Sequence, residues 1–409
     1  FWETSDLMYR FSLQVMARKI AHLKSNPLPP AEAAVPDMQQ LPAVTKMVER
    51  PRPFEVDLVA LEGMVKELSA LFKDYKELFN SNVMLVAVEQ DNFRLTSENV
   101  RLKFPLGLVG LTVSASVRTT DGSTVSDVLA ISSLENPADL PSLEELKKKV
   151  TDFADNLMEL KETPMIEEYY TGPVLFEEGA ASRLFTDNLL SPGRLLALRT
   201  MAPARGMLDE QLGRKIMDSR LTVKNYTMLV EYDGTPLFGH YEIDGDGVVP
   251  AAELTLVENG VFKRMLNGRV PTLKAPESTG SARFMISPDN PVAIVSPGTI
   301  HVQTSKSVAP EKLKKALLKA AKEADLEYAY IVRRIGGEAS AVYKVNVKDG
   351  KETRVRVNNL SAPELTKLMD LKGISSDERV MNYFPNGVPA SLIYPSAIIV
   401  GDVEINRTT

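Results

Sequence analysis

Between Asp57 and Phe79 the apolar residues Leu58, Leu61, Val65, Leu68, Phe72, Tyr75 and Phe79 recur three and four positions apart. That is the period of one face of a helix, and Asp57 stands ahead of it as an N-cap. The spacing returns at Leu143, Leu146, Val150, Phe153, Leu157 and Leu160, entered through Pro141 and stopped before Pro164. Between these stripes the period falls to two. Val83–Glu89, Phe93–Thr96, Val100–Phe104 and Leu111–Arg118 read as strands of an antiparallel meander. Leu111, Val113, Ala115 and Val117 then share one face, with Thr112, Ser114, Ser116 and Arg118 on the other. Thr120-Asp121-Gly122 supplies the next turn. Residues 57–165 are therefore expected to form one sheet with both helices on one face, rather than a coiled coil.

Residues 166–409 carry the marks of a second, hairpin-rich domain. Tyr226–Tyr232 and Glu253–Glu258 read as strands, and Asn259-Gly260 is a two-residue hairpin signal leading into Val261–Leu266. Glu311–Ala324 reads as a helix with five lysines on its solvated face. Tyr328–Arg334, Ala341–Val347, Thr353–Val357 and Ser396–Ile405 read as strands, with a capping box at Ser361–Glu364 opening a short helix. Ahead of both domains, residues 1–56 read as a helix over 1–25 and a strap. Seven of the 26 prolines fall between Pro27 and Pro53, which favours an extended connector lying along its own chain. The fold class expected is α+β in two sheet-based domains.

Composition narrows the chemistry. There is no cysteine among 409 residues, which removes disulfides, thiolate metal sites and Cys nucleophiles. Only His22, His240 and His301 supply imidazole. A net charge of −6 argues against a dedicated nucleic-acid binder, and no apolar run is long enough for a membrane span. The chain starts at Phe1 rather than Met, so a removed upstream segment is expected and the compartment, cytoplasm or periplasm, stays open.

Three segments are candidates for chemistry. The run Thr171-Gly-Pro-Val-Leu-Phe-Glu-Glu-Gly-Ala-Ala-Ser-Arg-Leu-Phe185 takes a strand into an Ala-rich helix. Glu177 and Glu178 at that junction suit a metal ligand or general base, or simply two acids favoured by a helix N-terminus. Glu242-Ile-Asp-Gly-Asp-Gly-Val-Val-Pro-Ala-Ala-Glu253 fits a calcium loop in spacing, through Glu242, Asp244, Asp246 and Glu253. Its flanks, with Gly234, Pro236 and Gly239, are those of a β-connection rather than of helices. Arg333-Arg334-Ile-Gly-Gly337 places two cations at a strand end, where they can hold a carboxylate or phosphate or lie at the surface. His240 and His301 each lack a second histidine nearby and read as solvated or hydrogen-bonded imidazoles.

The strand–helix junction resembles the start of the C-terminal domain of the TldD/PmbA family, the so-called modulators of DNA gyrase. Tyr232-Asp-Gly-Thr-Pro-Leu-Phe-Gly239 with Gly245-Asp-Gly-Val-Val249 is similar to the family's small-residue loop. Glu253-Leu-Thr-Leu-Val-Glu-Asn-Gly-Val-Phe262 resembles its hairpin. Gly387-Val-Pro-Ala-Ser-Leu392 and Ala397-Ile-Ile-Val-Gly-Asp-Val403 resemble its closing strands. The likeness covers most of residues 57–409. In TldD-type members the junction carries His-Glu-x-x-x-His, two zinc ligands around a general base, with a Cys as third ligand. Here the corresponding positions are Glu177, Glu178 and Ser182, and there is no Cys.

The resemblance thus implies a PmbA-type chain that holds no zinc, with Glu178 alone left from the catalytic motif. It implies a dimer with itself or with a zinc-bearing TldD-type paralogue, an extended peptide as substrate, and no role for nucleic acid. Two alternatives stay open. One is an active metallopeptidase with a metal site rebuilt from Glu177, Glu178 and His240; the other is a calcium-dependent or carbohydrate-binding surface module.

Overall fold

The computed structural model describes residues 2–50, 53–134, 136–166, 168–200, 207–287, 292–337, 339–357 and 360–405. Phe1 of the first helix, and Pro51 and Arg52 of the strap, lie outside them. The first part contributes α1 (Trp2–Ser25), the single turn α2 (Pro30–Ala33), β1 (Val44–Met47) and α3 (Leu58–Ala70). Strands β2 (Leu78–Leu95), β3 (Val100–Arg118) and β4 (Thr124–Leu134) follow, and then α4 (Leu143–Glu162).

Asp57 caps α3 as expected, its carboxylate accepting from the N–H groups of Val59 and Ala60. The predicted stripe overruns the helix, however. Regular helix stops at Ala70, a 3-10 turn covers Leu71–Asp74, and Phe79 already belongs to β2. Ser142 opens α4 with a reciprocal capping box to Glu145. Leu146, Val150, Phe153, Leu157 and Leu160 of that helix are buried on Leu111, Val113, Ala115 and Val117 of β3. Burial of such a side chain contributes about 1.5–3 kcal/mol, so this face anchors the layer.

The four short strands expected in the meander are two long ones. β2 pairs antiparallel with β3 from Leu78 to Leu95, and the polar residues Gln90, Asp91 and Asn92 continue the strand instead of turning it. On its other edge β3 changes partner: β1 runs parallel beside residues 100–103 and β4 antiparallel beside 108–118. The strap is therefore more than a connector. Besides supplying β1 to the sheet, it is pinned to the second half by bonds from Arg269 to Gln39 O and from Arg199 to Val35 O.

The second half opens with β5 (Tyr170–Glu177) running straight into α5 (Glu178–Leu189). Next come β6 (Leu221–Tyr226), the hairpin β7 (Glu231–Tyr232) and β8 (Thr235–Pro236), β9 (Glu253–Glu258) and β10 (Val261–Phe262). A hairpin of β11 (Ala282–Phe284) and β12 (Ala293–Val295) precedes β13 (Thr299–Thr304) and helix α6 (Pro310–Glu323). Then follow β14 (Tyr328–Arg334), β15 (Ala341–Asn346), β16 (Glu352–Val355) and β17 (Leu371–Ile374). The last three are β18 (Glu378–Tyr383), β19 (Ala390–Pro395) and β20 (Ala397–Ile405).

These strands build two six-stranded sheets, ordered β16-β15-β14-β5-β20-β17 and β10-β9-β6-β13-β19-β18. The first is buried on both faces. Val174, Phe176, Tyr330, Val332, Ile398 and Val400 enter the large core shared with the other sheet and α5. The alternate residues Leu175, Ala329, Ile331, Ala397 and Ile399 pack under α6. Two-sided burial explains why these strands read as unbroken apolar runs. Asn259 and Gly260 both take positive φ, 50° and 78°, as a two-residue hairpin turn requires. A Cβ on Gly260 would lie 2.4 Å from Met217 O.

Other expectations fail for local reasons. The strand read at Tyr226–Tyr232 stops at Tyr226: Thr227 N–H still reaches Ala252 O, but its carbonyl accepts from Tyr241 N–H, and pairing resumes only in the separate hairpin at Glu231–Tyr232. The capping box at Ser361 starts no α-helix: Asn188 donates to Pro363 O and holds the segment, and a 3-10 turn over Leu365–Met369 follows. Among the described residues no helix is long and apolar enough to cross a membrane.

Candidate functional site

β5 delivers the junction from the middle of its sheet, between β14 and β20, so the positions of Glu177 and Glu178 are fixed by core packing on both sides. Glu178 adopts φ 51°, a left-handed conformation costly for a side chain with a Cβ, and its N–H donates to Ser396 O at 3.0 Å. The chain thereby turns out of the strand into α5. Ala180 and Ala181 are buried, which lets the helix lie close against β14 and β19.

The three motif positions point to separate tasks. Glu177 accepts from Arg333 Nε at 3.1 Å. Arg333 also donates to Glu352 at 2.9 Å, stacks 4.3 Å over the Tyr343 ring, and shares Glu352 with Lys314. Two acids and two bases thus form one chain of ion pairs. Burial works to raise the Glu352 carboxyl, but the bonds from Lys314 and Arg333 outweigh it and hold it below its ordinary value. Ser182 is 1% exposed and gives its hydroxyl proton to Gly179 O at 2.8 Å. Burial pushes the neighbouring Tyr394 phenol up, against a hydrogen bond with Ser182. Glu178 alone stays exposed.

This arrangement does not fit zinc. One candidate ligand is a carboxylate neutralised by a guanidinium, another is a buried hydroxyl already bonded, and a thiolate is unavailable in a chain without Cys. His240 is exposed on the loop after the β7–β8 hairpin. Among the described residues no three His, Asp or Glu side chains gather as a metal site.

The calcium-like loop is likewise spread over different partners. Glu242 pairs with Lys46, Asp246 with Arg94, and Glu253 with Lys224. Asp244, 1% exposed, accepts from the N–H groups of Asp246, Val248 and Ala282. Burial pushes its carboxyl up to about 6 in spite of those bonds. These acids brace the loop and tie it to β1 and β2; they do not converge.

Of the arginine pair, Arg333 serves Glu177, and Arg334 holds Asp127 on β4 with two bonds of 2.9 and 2.6 Å. Both cations bind carboxylates of their own chain. His301, read from sequence as a solvated or hydrogen-bonded imidazole, lies buried in β13 with Nε2 2.9 Å from Glu378, whose carboxylate also accepts from Tyr232. One further residue escaped the sequence reading: Arg283 is buried at 8% exposure, where a charged side chain is unexpected. Its signal, one Arg in the small-residue segment Gly280-Ser-Ala-Arg-Phe284, is too slight to stand out.

The whole architecture has counterparts among solved structures. It is similar to TldE from Thermococcus kodakarensis, with a TM-score of 0.58 at 16% identity over 93% of this chain and 81% of that one. It is also similar to a candidate modulator of a DNA gyrase from Thermotoga maritima, with a TM-score of 0.57 at 14% identity over 91% and 81%. At these identities the likeness speaks for the fold. No curated protein matches the chain. The PmbA/TldA metallopeptidase C-terminal domain, by contrast, matches residues 169–407, more than half of the sequence, and on that ground the chain belongs to the TldD/PmbA family.

Proposed function

We propose that this chain is a subunit of a metalloprotease-like, peptide-processing dimer and holds no zinc itself. The observation that carries the reading is the state of the family motif. Glu177 is neutralised by Arg333 and Ser182 is bonded within its own helix turn, so neither is free to take a metal. A general base without a metal-bound water beside it has little to act on, and Glu178 is left in that position. The partner in this reading is a second copy or a TldD-type paralogue that supplies the zinc.

Helix α1 supports an assembled state. It buries none of its described residues and exposes Leu7, Met8, Tyr9, Phe11, Leu13 and Met16, an apolar surface of the kind that packs against another subunit. Extended peptide would enter by strand addition between the subunits. The test is to purify the chain alone and with a TldD-type partner, then measure zinc per chain, mass by light scattering, and peptide cleavage. The reading expects no zinc on this chain, a dimer, and cleavage that requires the partner. About one zinc per chain after dialysis would refute it.

A further inference from the structure

A pocket of about 410 Å³ lies between the two halves of the chain, walled by Phe104–Gly107 of β3 on one side and by Tyr241, Ile243, Arg283 and Phe284 on the other. That volume accommodates one large amino-acid residue with part of the next. Two independent features of its wall point to the same occupant.

The first is an open strand edge. β1 stops pairing at residue 103 and β4 starts at 108, so no strand ladder covers residues 104–107 on that side; the strap runs past them, with Met47–Glu49 in the pocket wall and Arg50 donating to Leu106 O at 3.0 Å. Lys103 O accepts from Val48 N; by the two-residue alternation, Pro105 turns its backbone to the same edge. There its missing N–H forfeits no ladder bond, and the same alternation directs its carbonyl to the edge beside the pocket that Pro105 lines.

The second is Arg283. Its guanidinium lies 4.1 Å from the Tyr241 ring centre and donates to Pro297 O at 2.9 Å and Pro389 O at 3.0 Å. Neither acceptor is a carboxylate, and a buried cation held only by neutral groups remains under-compensated. Asp244, whose charge acts on Arg283 through space, is already engaged by three backbone N–H groups. The charges at the rim are spent on one another, Lys46 with Glu242 and Lys103 with Glu49.

We propose that this pocket receives the C-terminal residue of a peptide: the carboxylate against Arg283, an apolar side chain against Phe104, Phe284 and Ile243, and the preceding backbone along the open edge of β3. The proposal rests on the peptide-processing reading and gives it a substrate end.

The test is calorimetric titration of the whole chain with a hexapeptide ending in phenylalanine, its C-terminal amide, and N-acetylphenylalanine. The acid should bind at least tenfold more tightly than the amide, and the peptide more tightly than N-acetylphenylalanine. Equal affinity of acid and amide, or no binding at millimolar concentration, would overturn the proposal. N-acetylphenylalanine binding as tightly as the hexapeptide would overturn the peptide end in favour of a small aromatic acid. Arg283→Gln should erase the preference for acid over amide. Because Arg283 also ties two loops, the site is checked independently on the unaltered chain with a peptide acid ending in p-benzoylphenylalanine. Photo-adducts within residues 46–48, 104–107 or 241–243 are expected, and adducts confined elsewhere would contradict the assignment. Cleavage with a partner but no acid-selective binding would remove this pocket and leave the subunit reading intact.

Discussion

Arg333 and Glu177 meet at 3.1 Å with both side chains less than a third exposed, so a fixed guanidinium faces the side chain at the first metal position of the family motif. A double-mutant cycle measures this pairing. Glu177→Gln, Arg333→Met and the double variant, unfolded in urea at pH 7, should give a coupling of about 1 kcal/mol. Zero coupling would mean that the two side chains are neighbours without holding each other.

Glu178 stores local strain through its positive φ. Glu178→Gly relieves that strain, whereas Glu178→Ala keeps it, so the Gly variant should be the more stable by about 1 kcal/mol. Thermal melts of the two proteins decide it. If Ala equals or exceeds Gly, the left-handed turn at the junction is wrong.

Asp244 makes folding depend on pH in the direction opposite to most carboxylates. Burial raises it to about 6 from its ordinary 3.8, so the folded chain binds this proton more tightly than the unfolded chain. Its penalty is full above pH 6 and is relieved as pH falls through 6 towards 4, by at most about 3 kcal/mol. Against Asp244→Asn, the wild-type chain should gain relative stability between pH 7 and 4.5. A difference that is flat in pH, or moves the other way, would show that Asp244 is not held in a costly ionised state.

Arg334 joins the two halves of the chain through Asp127, whose side chain is 6% exposed. Removing the cation strands a buried carboxylate. Arg334 is itself more than a third exposed and Val128 N–H still donates to Asp127, so Arg334→Met should destabilise by about 1–3 kcal/mol, and adding Asp127→Asn should recover part of that loss. Strictly additive losses would count against a buried pair.

What the sequence told, and what it withheld, follows from how local each signal was. The stripe of α4, the cap at Asp57 and the Asn259-Gly260 turn are set by neighbours in the chain, and the structure keeps all three. Gln90–Asn92 and Pro105 look like breaks in the sequence of β2 and β3, although pairing over 78–95 carries both strands through. β13 carries little signal in the sequence, because only Ile300 and Val302 mark it, between Thr299, His301 and Gln303. At the junction, the resemblance implies that Glu177 and Ser182 stand at the family's ligand positions. The partner of Glu177 was hidden, since Arg333 lies 156 residues away and only the pairing of β14 with β5 brings it there. Arg283 was silent for the same reason: its burial is created by segments remote in sequence.

The central claim, that this chain assists cleavage without performing it, is tested most directly by a peptide-cleavage assay on four preparations. They are the chain alone, the chain with a TldD-type partner, the same pair with Glu178→Gln here, and the pair with the partner's motif Glu changed to Gln. The account predicts no cleavage by the chain alone, full activity in the pair, no effect of Glu178→Gln, and loss of activity when the partner's motif is changed. Cleavage by the chain alone, falling ~10²–10⁴-fold with Glu178→Gln while the melting curve stays in place, is the behaviour of a working general base and would contradict it.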